Sequence, residues 1–248
     1  MMTIRVGVLG AKGRMGTTVC EAVSAATDCE LVAALDMGDD LAQLITNKAQ
    51  VVVDFTTPDS VAKNLEFLAT NNIHAVVGTT GFDEKRLAVV SKQFAASSAN
   101  VVIAPNFALA AVLMMKFAET AGPYFDSVEI VEMHHPRKVD APSGTAIRTA
   151  ELISKAREGM PAMPDATKDL VAGARGANVS GIPIHSIRLQ GAVAHQEVVF
   201  GGPGESLTIR HDSYDRESFM PGVLLAIRRV SDFKGLTFGL ESLLGLDS

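Results

Sequence analysis

Thr3-Ile4-Arg5-Val6-Gly7-Val8-Leu9-Gly10-Ala11-Lys12-Gly13-Arg14-Met15-Gly16 is the stretch that decides the fold. Its first half is a short apolar run, the pattern of a buried strand. Three glycines then break the run. A helical repeat follows in Val19, Ala22, Val23 and Ala26, and Leu31-Val32-Ala33-Ala34-Leu35 reads as a second strand ending on Asp36. Strand, glycine-rich turn, helix, strand, acid is the order of a dinucleotide-binding unit. The glycines allow a tight turn and close approach of a pyrophosphate to the helix N-terminus, where the dipole favours an anion. Asp36 stands twenty residues beyond Gly16, where a carboxylate hydrogen-bonds the adenosine ribose hydroxyls. The spacing is G-x-x-G-x-x-G rather than G-x-G-x-x-G, so the order of elements carries the inference more than the glycines do.

Working outward, Val51 to Phe55, Ala75 to Val77 and Val101 to Ala104 read as three more buried strands. Between them lie helical patterns carrying Val61, Leu65 and Leu68, then Leu87, Val90 and Phe94. Alternation of strand and helix predicts a doubly wound parallel sheet. In such sheets ligands bind at the carboxyl ends of the strands. Gly10–Gly16, Asp36, Phe55-Thr56-Thr57, Gly78-Thr79-Thr80 and Ala104-Pro105-Asn106-Phe107 all fall at such ends, so one rim gathers them.

After Phe107 the rhythm changes. A helix is expected over about Ala110 to Gly122, and a half-buried strand over Ser127 to Met133. Then comes Glu132-Met133-His134-His135-Pro136-Arg137-Lys138-Val139-Asp140-Ala141-Pro142-Ser143-Gly144-Thr145-Ala146. A helix is predicted to start near Gly144 with Ser143 as N-cap. The N–H groups of Gly144 and Thr145 then form an anion site to which Lys138 adds a full positive charge. Two adjacent imidazoles beside an anion cradle point to acid/base chemistry on a small carboxylate or phosphate compound. Residues 159–181, rich in Gly, Pro, Ala and Asp, read as a long loop holding Arg175, a substrate or interface residue or a plain solvated one. Pro183–Leu189, Ala194–Phe200 and Ser206–His211 alternate as strands, giving with 127–133 an open mixed or antiparallel sheet of about four strands. Its apolar face needs a cover, and a partner subunit is the natural one. A helix from Pro221 to about Val230 is expected to return to the first domain. The domains are thus 1–107 with 217–248, and 108–216.

A net charge of −6 and no basic stripe argue against nucleic acid as a partner. Two cysteines, Cys20 and Cys29, show no zinc spacing and suit reduced thiols in a cytoplasmic protein. The first strand opens at Thr3, so a signal peptide is not expected. The charge-free run from Phe94 to Met115 is broken by Ser97, Ser98, Asn100, Pro105 and Asn106, which suits no membrane span. The vicinal histidines lack further donors at recognised spacing, so no metal is expected. His74, His185, His195 and His211 lie in or beside strands and read as structural.

The segment from Glu132 to Ala146 closely resembles the dihydrodipicolinate reductase family of diaminopimelate and lysine biosynthesis. Gly10–Gly16, Asp54-Phe55-Thr56, Val77-Gly78-Thr79-Thr80-Gly81 and Ala104–Phe107 occur in family order, so the resemblance spans essentially the whole chain. It implies an α/β fold: a Rossmann domain, doubly wound around a parallel sheet, plus a smaller α+β domain whose open mixed sheet builds a homotetramer. It implies an oxidoreductase that reduces 4-hydroxy-tetrahydrodipicolinate, a cyclic imine dicarboxylate, with NADH or NADPH and loss of water. By this match His134 is the proton donor and acceptor, Lys138 a second donor, and His135 a substrate contact. Ser143, Gly144 and Thr145 bind a substrate carboxylate. Gly10, Ala11, Lys12, Gly13, Arg14 and Met15 hold the pyrophosphate and Asp36 the ribose. Gly78, Thr79, Thr80, Ala104, Pro105, Asn106 and Phe107 line the nicotinamide half, and Arg216 and Phe219 match a segment near the cofactor. Asp36 followed by Met37, with no arginine to receive a 2′-phosphate, favours NADH; Lys12 and Arg14 leave NADPH tolerated.

Overall fold

The computed structural model describes residues 3–246, and the chain divides into two compact units: Met1–Leu109 with Arg216–Ser248, and Ala110–Asp215. In chain order the elements begin β1 (Ile4–Leu9), α1 (Arg14–Ala25), β2 (Cys29–Leu35), α2 (Ala42–Thr46), β3 (Val51–Asp54) and α3 (Val61–Thr70). They continue with β4 (His74–Val77), α4 (Glu84–Ala95), β5 (Val101–Ile103), α5 (Leu109–Ala121), β6 (Ser127–His134) and α6 (Gly144–Ala156). The remainder is β7 (Ala177–Val179), β8 (Ile182–Arg188), β9 (Ala194–Gly202), β10 (Glu205–Ser213), α7 (Met220–Arg229), β11 (Leu236–Phe238) and α8 (Glu241–Leu244).

The first unit is a parallel six-stranded sheet in the order β11-β5-β4-β3-β1-β2, the doubly wound α/β architecture that the alternation predicts. Val51, Val52 and Val53 are all buried, as are Val101 and Val102. Strands covered on both faces read as unbroken apolar runs for this reason. One face packs Val52, Ala75, Val77, Val101 and Ile103 against Val61, Leu65 and Leu68 of α3 and Val90 and Phe94 of α4. The register sets Leu35, Leu9, Asp54, Val77, Ile103 and Phe238 in one row across the sheet. All five ligand-compatible turns therefore leave the sheet on one edge. β1 lies between β2 and β3, so the chain departs from it in both directions, which makes the switch point of the sheet.

The sixth strand, β11, was not expected from sequence. Three residues are too few to show a period. It is placed by Asn100, whose buried side chain donates to Val230 O (3.1 Å) and Ser231 O (3.2 Å) and accepts from Gly235 N–H (3.0 Å). Arg228 on α7 also pairs with Asp28 (2.7 Å), tying the returning helix to the start of β2.

The second unit is a mixed five-stranded sheet, β10-β9-β6-β8-β7, in which only β6 and β8 run parallel. The expected loop over 159–181 ends in a fifth strand. Ser180 and Gly181 both take positive φ (53° and 87°), closing a two-residue hairpin between β7 and β8. A second correction concerns the open face. The apolar face (Val128, Ile130, Ile184, Val198, Phe200) is covered within the unit by Ala146, Ala150 and Ile153 of α6 and Ala118 of α5. Residues of opposite parity carry ion pairs instead: Glu129 with Arg175 and His185, Glu197 with Arg210, and Asp212 with Arg210 and His195. Buried Arg157 donates to the carbonyls of Gly122 (2.7 Å), Phe125 (2.5 Å) and Asp126 (3.1 Å), satisfying backbone groups just past the end of α5.

Candidate active site

At the end of β1 the chain turns on Gly10, held at φ 77°, where a Cβ would lie 2.6 Å from the Phe55 carbonyl oxygen. Gly13 caps α1 without a side-chain hydrogen bond, and the first turn holds no acidic residue. Among the described residues, the N–H groups of Arg14 and Met15 thus meet no capping side chain and no carboxylate of their own turn. Lys12, Gly13 and Arg14 are exposed and Ala11 and Met15 half-buried, so the turn presents backbone and cations to solvent.

Asp36, one residue past β2, accepts hydrogen bonds from Lys12 N–H (2.7 Å) and Met37 N–H (2.8 Å). The Met37 and Lys12 amides hold its carboxyl below the usual range, so it is charged at neutral pH. It sits against the glycine turn, and Met37 beyond it is almost wholly exposed.

The turns after β3 and β4 are organised around Asp54, which is fully buried. Its carboxylate accepts from Thr56 N–H (2.9 Å), Thr56 Oγ1 (2.7 Å), Asn64 Nδ2 (2.7 Å) and Thr79 Oγ1 (3.0 Å). Thr79 is buried and its O–H donates to Asp54, so its backbone N–H is the donor it has for a ligand, whereas Thr80 is exposed and Gly78 half-buried. Ala104 and Phe107 are buried, the Phe107 ring tilted against Phe55 with centroids 5.8 Å apart. Pro105 is exposed, and Asn106 Oδ1 accepts the Ala108 N–H (2.8 Å).

In the second unit the site is assembled from β6, β8, the loop after β6 and the start of α6. Ser143 caps α6, accepting from Ala146 N–H (3.2 Å); exposed Gly144 and half-buried Thr145 follow it in a first turn that carries no acidic residue of its own. Lys138 Nζ donates to both oxygens of Asp140 (2.9 and 2.8 Å). His135 Nδ1 is buried and has no hydrogen-bond partner among the described residues. His134 Nδ1 meets Glu132 Oε2 at 2.5 Å.

Glu132 and Arg188 are the members that sequence reading missed as site residues. Glu132 is fully buried and accepts two bonds from Arg188 (2.9 and 3.0 Å) and one from Ser143 N–H (3.2 Å). Arg188 also donates to Asp140 O (2.7 Å). Burial alone would raise the Glu132 carboxyl; hydrogen bonds from Arg188, Ser186 and His134 outweigh it and hold the group below its ordinary value. Burial pushes the His134 imidazole below its ordinary value, with Lys138 and Arg188 adding to the effect, although Glu132 opposes them. A neutral ring whose Nδ1–H is on Glu132 leaves Nε2 as a proton acceptor, and a donor once protonated. The available signal was parity: Glu132 and His134 share one face of β6, and the register pairs them with Ser186 and Arg188 on β8.

Three of the other histidines have structural partners: His74 Nδ1 accepts from Asn100 N–H (2.9 Å), His185 meets Glu129 (2.7 Å) and His195 meets Asp212 (2.6 Å). Arg175 is held by Glu129 and Asp165. Among the described residues no group of three His, Cys, Asp or Glu side chains is assembled around a metal position, and no helix is long and apolar enough to cross a membrane.

Comparison with known proteins identifies the family. Residues 4–107 match the family model for dihydrodipicolinate reductase, N-terminus, and residues 110–244 that for dihydrodipicolinate reductase, C-terminus. A 4-hydroxy-tetrahydrodipicolinate reductase of Mycolicibacterium smegmatis is 59% identical over 98% of this chain and 100% of its own length. One from Corynebacterium urealyticum is 57% identical over the same shares. A solved dihydrodipicolinate reductase from Paenisporosarcina sp. TG-14, with dipicolinate bound, is 42% identical, superposes with a TM-score of 0.88, and is matched over 97% of this chain and 99% of that one. The chain belongs to the dihydrodipicolinate reductase family of oxidoreductases.

Proposed function

We propose that the His134 cluster and the glycine-turn rim are the substrate and cofactor sites of the family reaction, reduction of 4-hydroxy-tetrahydrodipicolinate to tetrahydrodipicolinate with loss of water in diaminopimelate and lysine biosynthesis. The observation that carries this is the His134 arrangement: an imidazole that meets a buried carboxylate through Nδ1 and is held below its ordinary pKa by burial, its Nε2 left for proton transfer, with Lys138 close enough to oppose its charging. His134 takes and returns the proton. Lys138 polarises the imine or pairs with a carboxylate, and Asp140 holds its ammonium in place until then. His135, with its orphaned Nδ1, contacts the substrate. Ser143 Oγ already accepts from Ala146, so its O–H donates to a substrate carboxylate alongside the Gly144 and Thr145 N–H groups.

The rim fits a nicotinamide dinucleotide. Gly10–Met15 cradle the pyrophosphate, Asp36 takes the ribose hydroxyls, and Gly78-Thr79-Thr80 with Ala104–Phe107 line the nicotinamide half, Thr79 through its backbone. When bound, the reduced nicotinamide supplies the hydride. NADH is preferred because the Asp36 carboxylate repels a 2′-phosphate; NADPH is tolerated through Lys12 and Arg14. The same reading divides the chain into a cofactor domain and a substrate and oligomerisation domain, and makes it a cytoplasmic homotetramer.

The test is a coupled assay in which dihydrodipicolinate synthase generates the substrate in situ and oxidation of NADH and NADPH is followed separately. Oxidation that needs both the synthase and this protein supports the proposal. No oxidation with either cofactor, in a protein that binds NADH, sinks it.

A further inference from the structure

The geometry points to Glu132 as the positioning residue of His134, clamped by Arg188, and to this one carboxylate as the part that ties the proton-transfer ring to the anion cradle at the start of α6. The inference rests on the His134 reading above.

A carboxylate offers about four acceptor positions. On Glu132, Oε2 faces His134 Nδ1 at 2.5 Å and Arg188 Nη1 at 3.0 Å; Oε1 faces Arg188 Nη2 at 2.9 Å and Ser143 N–H at 3.2 Å. Ser186 adds a further hydrogen bond to the same carboxylate, so no acceptor position is left open. The two guanidinium N–H groups and the Ser143 amide can only donate. Their presence keeps the carboxylate ionised, so His134 Nδ1 must also be the donor. That fixes the tautomer: Nδ1 carries the proton, and Nε2 presents its lone pair. Glu132 therefore does not exchange protons during turnover. It orients the ring that does, the role of the third group behind a catalytic base.

The bidentate fork of Arg188 matters because Glu132 is fully buried and a carboxylate in that place needs a fixed countercharge. The same guanidinium reaches Asp140 O at 2.7 Å, which pins the loop carrying Lys138. Oε1, through Ser143 N–H, anchors the residue that caps α6. One buried carboxylate thus sets the ring, the loop and the helix start together. Within this unit the charged groups that act on His134 are Glu132 from β6, Arg188 from β8, and Lys138 and Asp140 from the loop. Glu132 alone among those acting on His134 from β6 and β8 favours the imidazolium.

Glu132→Gln tests the assignment. The amide keeps one acceptor oxygen, which the donors Arg188 and Ser143 retain, and turns NH2 toward His134, so the ring must move its proton to Nε2. Nitrogen-15 spectra of labelled histidine, with the His134 signals identified by their loss in His134→Gln, read the tautomer directly and need no substrate. The expected results are an Nδ1–H ring in the wild type and an Nε2–H or mixed ring in Glu132→Gln. A kcat lower by about tenfold to a hundredfold accompanies it, with KM changed by less than about threefold. The limb of the kcat/KM profile that His134 sets moves to lower pH, because the carboxylate favouring imidazolium has gone. An unchanged tautomer and limb in the variant overturn the proposal, even if kcat falls, since a purely structural residue would do that. Should the variant not fold, a wild-type ring protonated mainly on Nε2 overturns it, and one protonated on Nδ1 supports it. A wild type that shows the expected tautomer but reduces no substrate defeats the functional assignment instead.

Discussion

Replacing Gly16 with alanine tests whether the glycine turn is shaped by backbone packing. A Cβ at that position falls 2.0 Å from the Gly10 carbonyl oxygen, 2.7 Å from its carbon and 2.8 Å from Ala11 Cα. All three are backbone atoms, so no side chain can swing aside. Nonbonded carbon contacts sit near ~3.5 Å, so the turn and α1 must part by roughly 1.5 Å. That separation breaks the bond from Gly13 N–H to Gly10 O (3.0 Å) and from the Thr17 hydroxyl to Ala11 O (3.1 Å). Overpacking costs about 1–3 kcal/mol and each lost hydrogen bond about 1 kcal/mol, while alanine returns about 1 kcal/mol of helix propensity. The expected net loss is about 2–4 kcal/mol, read by chemical denaturation. The displaced amides should also weaken NADH binding by about a hundredfold, read by titration of nicotinamide fluorescence. Gly13→Ala is the contrast. Its φ is −72° and its Cβ would meet only Gly10 O, at 3.1 Å. Stability should stay within about 1 kcal/mol of wild type, while the added methyl on the exposed side of the turn weakens NADH. A Gly16→Ala protein with wild-type stability and NADH affinity would refute the reasoning.

Three further outcomes are expected. His134→Gln and Lys138→Ala should each lower turnover by roughly two to four orders of magnitude while melting and cofactor binding stay as in wild type; equal loss of cofactor binding would mean that the residues are structural. NADH should bind at least as tightly as NADPH, and Asp36→Asn should improve NADPH relative to NADH; a strong wild-type preference for NADPH would contradict this role for Asp36. Burial foremost depresses the histidines at 74, 134 and 211. With native values below the ordinary one, the unfolded chain binds these protons first as pH falls, so stability is full above about pH 6.5 and declines below it. Melting temperatures between pH 7 and 5 should fall accordingly, less steeply in His74→Gln, and a flat profile in the wild type would disprove the assignment.

The first unit was largely legible because its signals are local. Buried parallel strands such as Val51–Val53 are continuous apolar runs, and each turn at the rim follows directly on its strand. Ser143 was equally readable, since a cap is a relation between neighbours in sequence, and the structure gives it the Ala146 N–H. β7 and β11 were not legible, because three-residue strands have no period and form only where a partner edge awaits them. The predicted need of the second sheet for an outside cover failed for a related reason: alternation tells which residues share a face, but not that α6 already packs on the apolar one.

By itself, then, the sequence determined the order of elements, the rim of turns, the Ser-Gly-Thr helix start and the pair of histidines, all of which depend on spacing within a few residues. Only the tertiary structure decided which nitrogen of His134 is engaged by Glu132. That choice depends on Arg188, fifty-six residues beyond Glu132 in the chain and brought to it by the parallel register of β6 and β8. A carboxylate two residues before a histidine has no assigned role in a linear pattern. Buried and hydrogen-bonded by Arg188, Ser143 and Ser186, it has one, because a buried charge must be fully hydrogen-bonded and a carboxylate so fixed holds the ring that meets it.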